Sequence, residues 1–222
     1  MNGIILDHVS KSIGAFPILK DISANIKNGE FVSLTGRSGS GKSTLLYLMS
    51  SLDTPTSGSV HISGQDVSLM NDRELHSFRN HNIGFVFQFH YLLPELTVHE
   101  NVMIPARKTH IHSTKEVIDF ADELLEEFGI THVKNRYPSQ LSGGERQRTA
   151  VARALIMRPD YIFADEPTGS LDSKNGEAVM NLFKKINQEK KTTIIMVTHD
   201  VDFASIARRQ IHLVDGRISK HT

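Results

Sequence analysis

The sequence predicts an α/β fold built on a mostly parallel, buried sheet, and three observations carry that prediction. Short β-rich apolar runs alternate with helical patterns along the chain, the order in which βαβ units are written. Strands joined by helical crossovers pair in parallel and are covered on both faces. The third observation is size: 222 residues with 39% hydrophobic side chains suffice for a self-sustaining core and correspond to about one to two domains.

The apolar run Ile4 to Val9 comes first, then Phe31 to Thr35. The second is followed by a glycine-rich loop, Gly36 to Thr44, and a helical run, Leu45 to Leu52. Ile83 to Phe87 is the next strand. Ser113-Thr114-Lys115-Glu116 is a capping box; Val117, Ile118, Ala121, Leu124, Leu125 and Phe128 follow at helical spacing, with Gly129 as the stop. Ser142 to Glu145 repeats the S-x-x-E form ahead of Ala150, Val151, Ala154 and Leu155, and Pro159 ends that stretch. Tyr161 to Ala164, Thr193 to Thr198 and Ile211 to Val214 close the series of strands. The segment from about 90 to 158 thus reads as helices inserted between strands, with no linker at its edges.

Composition limits the function. Lys plus Arg and Asp plus Glu each number 25, so no bulk basic field recruits nucleic acid, and anion binding must come from a local site. The absence of cysteine excludes disulfides, thiolate zinc sites and a cysteine nucleophile, and makes the cytosol the expectation. No signal-like segment opens the sequence and no 18-residue uncharged apolar stretch occurs in it, so a membrane role calls for partner subunits.

Gly36-Arg37-Ser38-Gly39-Ser40-Gly41-Lys42-Ser43-Thr44 fits G-x-x-x-x-G-K-[ST], with the strand before it and the helix after it that a phosphate loop requires. Its glycines let amides converge on phosphate oxygens, Lys42 reaches the β and γ phosphates, and the Ser43 hydroxyl suits Mg²⁺. Downstream, the apolar run from Tyr161 ends in Asp165-Glu166. One carboxylate there would complete the metal shell and the other would polarise the attacking water.

Leu141-Ser142-Gly143-Gly144-Glu145-Arg146-Gln147-Arg148 resembles the signature sequence of ATP-binding-cassette (ABC) ATPases, in the order relative to Asp165-Glu166 that this family uses. Ser142 as N-cap and Gly143-Gly144 at a helix N-terminus read as a second anion site with no cation of its own. The resemblance implies a P-loop NTPase fold of ABC type: a mostly parallel core sheet with an antiparallel β part and an inserted helical subdomain, all in one domain over 1–222. The core would be about 1–88 and 159–222, and the helical subdomain about 89–158. It also implies a head-to-tail pair in which Leu141, Ser142, Gly143, Gly144 and Glu145 act on the ATP of a second copy. By the same resemblance Gln88 is a Q-loop glutamine contacting metal and water, Ser170-Leu171-Asp172 a D-loop at the dimer interface, and His199 a switch histidine at the γ phosphate. Glu166 and His199 are then the catalytic pair, and Ser43, Gln88 and Asp165 the metal set. An aromatic residue usually precedes the phosphate loop to stack on adenine; here Ile13 takes that position, and Phe16 stands as the alternative.

The segment Gln88-Phe89-His90-Tyr91-Leu92-Leu93-Pro94 is similar to the branch of the family holding lipoprotein-releasing, macrolide-exporter and FtsE-type ATPases, and most to the first. The implied partners are a second copy and integral membrane permease subunits, with no nucleic acid. The implied place is peripheral, on the cytoplasmic face of a bacterial inner membrane, and the implied ligands are ATP and Mg²⁺. The apolar run after Gln88 suits a groove gripping a membrane partner's helix if exposed, or packs beneath the helices if not.

Overall fold

A computed structural model describes residues 3–107 and 114–221. Ten strands and seven α-helices are described: β1 Ile4–Ile13, β2 Phe16–Ile26, β3 Phe31–Gly36, α1 Lys42–Met49, β4 Ser57–Ile62, β5 Gln65–Asp66, α2 Asp72–Asn82, β6 Ile83–Phe87, α3 Val98–Met103, α4 Thr114–Glu127, α5 Gly143–Leu155, β7 Tyr161–Asp165, α6 Ser173–Lys190, β8 Thr193–Val197, α7 Val201–Ala204, β9 Arg209–Val214 and β10 Arg217–His221. They form a six-stranded sheet in the order β10-β9-β3-β8-β7-β6 and a four-stranded sheet in the order β2-β1-β4-β5. In the larger sheet β9, β3, β8, β7 and β6 run parallel, and only the edge strand β10 is antiparallel.

The parallel strands fall where the apolar runs predict them. Successive side chains leave a strand on opposite faces, and here the faces feed different cores. Ile162, Ala164, Ile194 and Met196 pack with α3 to α6, while Tyr161, Phe163, Ile195 and Val197 pack with α1 and the smaller sheet. Both faces are therefore dry, and a continuous apolar run is the pattern such strands require.

One placement differs from the sequence reading. Ile4 to Val9 belongs to β1 of the antiparallel sheet, paired with β2 and β4. The physical reason is the connection: β1 turns into β2 through Gly14 and Ala15 alone, with φ 59° at Gly14, whereas a parallel partner needs a crossover of about a dozen residues or more.

The helix signals hold locally. α5 opens with a capping box in which the Ser142 hydroxyl accepts from the Glu145 amide and the Glu145 carboxylate accepts from the Ser142 amide. α4 ends before Gly129, which adopts φ 66° while Ile130 N–H bonds back to Leu125. The Ser113 of the other capping box lies outside the described residues.

Candidate nucleotide site

β3 and α1 deliver the phosphate loop. Gly41 is the N-cap of α1 at φ 99°, and a Cβ there would stand 2.8 Å from Leu19 Cδ2, so both backbone and space demand glycine. No side chain caps α1 and no acidic residue occupies its first turn. Its first amides, which lack carbonyl partners within the helix, thus stay available to an anion. Lys42 is buried, 8% exposed, and its ammonium donates to the carbonyls of Gly36 and Arg37, each at 3.0 Å. Both partners are neutral, so the positive charge is held in place without being cancelled. The adjoining cleft has a volume of about 520 Å³ and is lined by Ser38, Gly39, Lys42, Ser43 and Thr44 of the loop, by Ile18 of β2, and by Glu166 and His199. Arg37 is exposed and Ser40 buried.

β7 brings the two carboxylates. Asp165 accepts from Ser43 Oγ at Oδ1 (3.1 Å) and from Tyr47 OH at Oδ2 (2.8 Å). Burial first, and then the bond to Asp165, push the Tyr47 hydroxyl up to about 12. Glu166 is the first residue beyond the strand and has φ 47°, a region costing a non-glycine residue about 1–3 kcal/mol. Its amide donates to Val197 and its carbonyl accepts from Gly169, which hold it there. The result is a side chain that leaves the strand's line and accepts from His199 Nδ1 at 2.8 Å. The Gln88 amide lies beside Gly169, as does the Glu166 carboxylate. Among the described residues no hydrogen bond joins Gln88 to Ser43 or Asp165.

The signature segment stands apart from this cleft. Ser142 and Gly143 are exposed, Leu141 and Gly144 buried, and none of the five lines the clefts that Glu166 and His199 share. Gly144 is buried because α5 starts against α6: any Cβ there would run into the Asn175 side chain. Glu145 is pushed up by burial, but bonds to the Ser142 hydroxyl and amide and to His132 prevail and hold it below the ordinary glutamate range. A Cβ added at Gly143 would meet Leu171 Cδ2 at 3.4 Å. Asp172 caps α6 by accepting from the Asn175 amide, which holds its carboxyl below the usual range, and Ser170 donates to the Gln88 carbonyl. Ile13 and Phe16 face each other across the β1–β2 turn, 62% and 76% exposed.

The family model for ABC transporters matches residues 19–169. The chain belongs to the ABC transporter family. The lipoprotein-releasing system ATP-binding protein LolD of Leptospira interrogans is 55% identical over 217 residues, 98% of this chain and 91% of that protein. LolD of Aquifex aeolicus is 49% identical over 212 residues, 96% of this chain and 94% of its own. Among solved structures, the dimeric ATP-binding cassette MJ0796 in a post-hydrolysis state with ADP and Pi matches with a TM-score of 0.90 and 43% identity, over 99% of this chain and 97% of that one. This ABC chain is therefore an ATPase that binds ATP.

Two features of the ABC chain are invisible to sequence reasoning. One is Tyr47, whose place amid the apolar run of α1 reads as core; only folding brings Asp165 to it. The other is a groove of about 530 Å³ between sheet and helices, lined by Leu52, Ile83, Phe85, Phe87, Ile104 and Met157, with Arg79 and Arg153 among its polar residues. The run after Gln88 divides: Phe89 and Tyr91 are 65% and 63% exposed, while Leu92 packs against the core. Arg153 fixes the exposed part by donating to the carbonyls of His90 and Tyr91.

Proposed function

We propose that this chain is the ATP-hydrolysing subunit of a lipoprotein-releasing ABC system, peripheral on the cytoplasmic face of a bacterial inner membrane. Two copies enclose two ATP, each held between the phosphate loop Gly36 to Thr44 of one copy and Leu141 to Glu145 of the other. The observation that carries hydrolysis is the convergence of Lys42, Ser43, Glu166 and His199 on one cleft, with Asp165 hydrogen-bonded to Ser43 at its edge. Identity of 55% and 49% to two LolD proteins over nearly the whole chain carries the transport class.

The donor set fits Mg²⁺. Ser43 and Asp165 offer hard oxygen ligands and are already hydrogen-bonded to each other, and Mg²⁺ is typically bound through one or two carboxylates plus phosphate oxygens and water. No cluster of three His, Asp or Glu among the described residues could hold a metal alone, which suits an ion that arrives with its nucleotide. When bound, the ion neutralises phosphate charge. Lys42 moves its donors from loop carbonyls to the β and γ phosphates. Glu166 takes a proton from the attacking water, and His199, bonded to Glu166, orients the γ phosphate. Gln88, which lies with Glu166 beside Gly169, would help hold the metal and the water and report occupancy to the partner. Ile13 or Phe16 meets adenine. Ser170, Leu171 and Asp172 form the edge that meets the second copy.

Integral membrane subunits are the remaining partners. The groove beside Phe85 and Phe87 and the exposed Phe89 and Tyr91 supply an apolar seat for a helix. The chain works as one domain, with 89–158 as the helical part linking the seat to the signature.

Copurification tests the reading. The tagged chain expressed with its own organism's membranes should bring down permease subunits of a lipoprotein-releasing system, and the complex should release a lipoprotein from vesicles only with hydrolysable ATP. Release at equal rate without ATP would overturn it.

A further inference from the structure

Asp165 receives a second hydrogen bond, from a residue that belongs to none of the motifs. Tyr47 lies four positions after Ser43 on α1, so the two side chains share one face of the helix. Ser43 donates to Oδ1 of Asp165 and Tyr47 to Oδ2. Holding both oxygens fixes the carboxylate torsion, and that torsion decides whether an oxygen is aimed at Ser43. An ionised carboxylate accepts about four hydrogen bonds, so Tyr47 displaces neither Ser43 nor a metal ion.

The tyrosine is itself held. Its ring lies 6.0 Å from that of Phe85, which stacks on Phe87 at 4.3 Å and on Phe163 at 6.2 Å. A ring locked by packing puts its hydroxyl at a fixed point. Packing alone does not account for the hydroxyl: Leu45, Leu46, Leu48 and Met49, its neighbours along α1, are all buried and apolar, and a phenylalanine would make the same ring contacts.

We propose that Tyr47 is a positioning residue for the metal site, its hydroxyl orienting Asp165 so that Oδ1 is presented beside Ser43 and thereby setting the affinity for Mg²⁺. The inference rests on the assignment of Ser43 and Asp165 to the metal. Partners that orient a metal ligand are typically worth about 10–100-fold in metal affinity or activity.

The test is Tyr47→Phe in the full chain, with Mn²⁺ as the probe and its affinity read by electron paramagnetic resonance at saturating ADP. Mn²⁺ binding should weaken about ten-fold, while affinity for a fluorescent ATP analogue in EDTA stays within two-fold of wild type. Unchanged Mn²⁺ affinity would overturn the proposal, and so would an equal loss of metal-free nucleotide binding, which marks a general support of the loop. Asp165→Asn separates the role of Tyr47 from that of Asp165. If it weakens Mn²⁺ and Tyr47→Phe does not, only the role of Tyr47 fails; if neither weakens it, the metal assignment of Asp165 fails as well.

Discussion

The first turns of α1 and α5 are built in opposite ways. At α1 the N-cap is glycine, no side chain closes the end and Lys42 stands inside it. At α5 Ser142 and Glu145 close the end reciprocally, a negative charge sits in the first turn, and only Gly143 and Gly144 leave bare backbone. A helix N-terminus attracts anions through unsatisfied amides and the partial charge of its dipole. α1 keeps both and adds a cation; α5 has spent part of its capacity on its own carboxylate. On the proposed function, the first supplies amides and a cation for phosphate within one chain. On the same proposal the second contributes only when a second copy brings the phosphate to it.

The comparison breaks most visibly at Glu166. Glu166→Gln should lower kcat about a thousand-fold yet leave ATP binding intact, so the variant accumulates as a closed dimer in size-exclusion chromatography with ATP. Turnover at the wild-type rate would remove Glu166 from the chemistry. Next in size is Lys42→Ala. Losing two charge-assisted hydrogen bonds of about 1.5–3 kcal/mol each should raise the Kd for ATP at least a hundred-fold by equilibrium titration. If α1 alone forms the primary site, this loss appears in the monomer.

Ser142→Ala sharpens the contrast. Breaking the box should cost about 1 kcal/mol of stability, and ATP-driven dimerisation should weaken about ten-fold by analytical ultracentrifugation, with ATP affinity of the monomer unchanged. A monomer that binds ATP more weakly would place the signature within its own chain's site. The smallest effect is acid sensitivity. Glu145 is held below its ordinary 4.5, so it contributes stability that is complete above that value and is lost as pH falls through the depressed native one. Glu145→Gln keeps the hydrogen bonds of the box without titrating. Its drop in Tm between pH 6 and pH 3 should be about 2 °C smaller than that of wild type.

What could be read beforehand follows the physics of each element. β3, β7 and β8 are buried on both faces and β6 and β9 bury alternate residues, so their apolar runs announce them, and the phosphate loop and α5 box are local in sequence. β2 is not legible in that way: Asp21 at φ 56° and the shifts of register against β1 break the two-residue alternation. β4 opens on Ser57-Gly58-Ser59 and β10 carries Arg217 and Lys220, compositions that read as turns and surface. The site divides likewise. Lys42 and Ser43 are fixed by spacing. The bond between Tyr47 and Asp165 joins residues 118 positions apart, and the φ of 47° that swings Glu166 to His199 depends on Val197 in a neighbouring strand. Neither leaves a periodic trace.

The bond between Tyr47 and Asp165 also gives the molecule an optical property. The chain has no tryptophan and four tyrosines, so its ultraviolet emission is tyrosine emission, and a phenol hydrogen-bonded to a carboxylate emits weakly. Of the four, Tyr47 alone touches the carboxylate beside the phosphate loop. Any event that loosens that bond brightens the protein, so the chain carries, without labelling, a light signal from its own phosphate site.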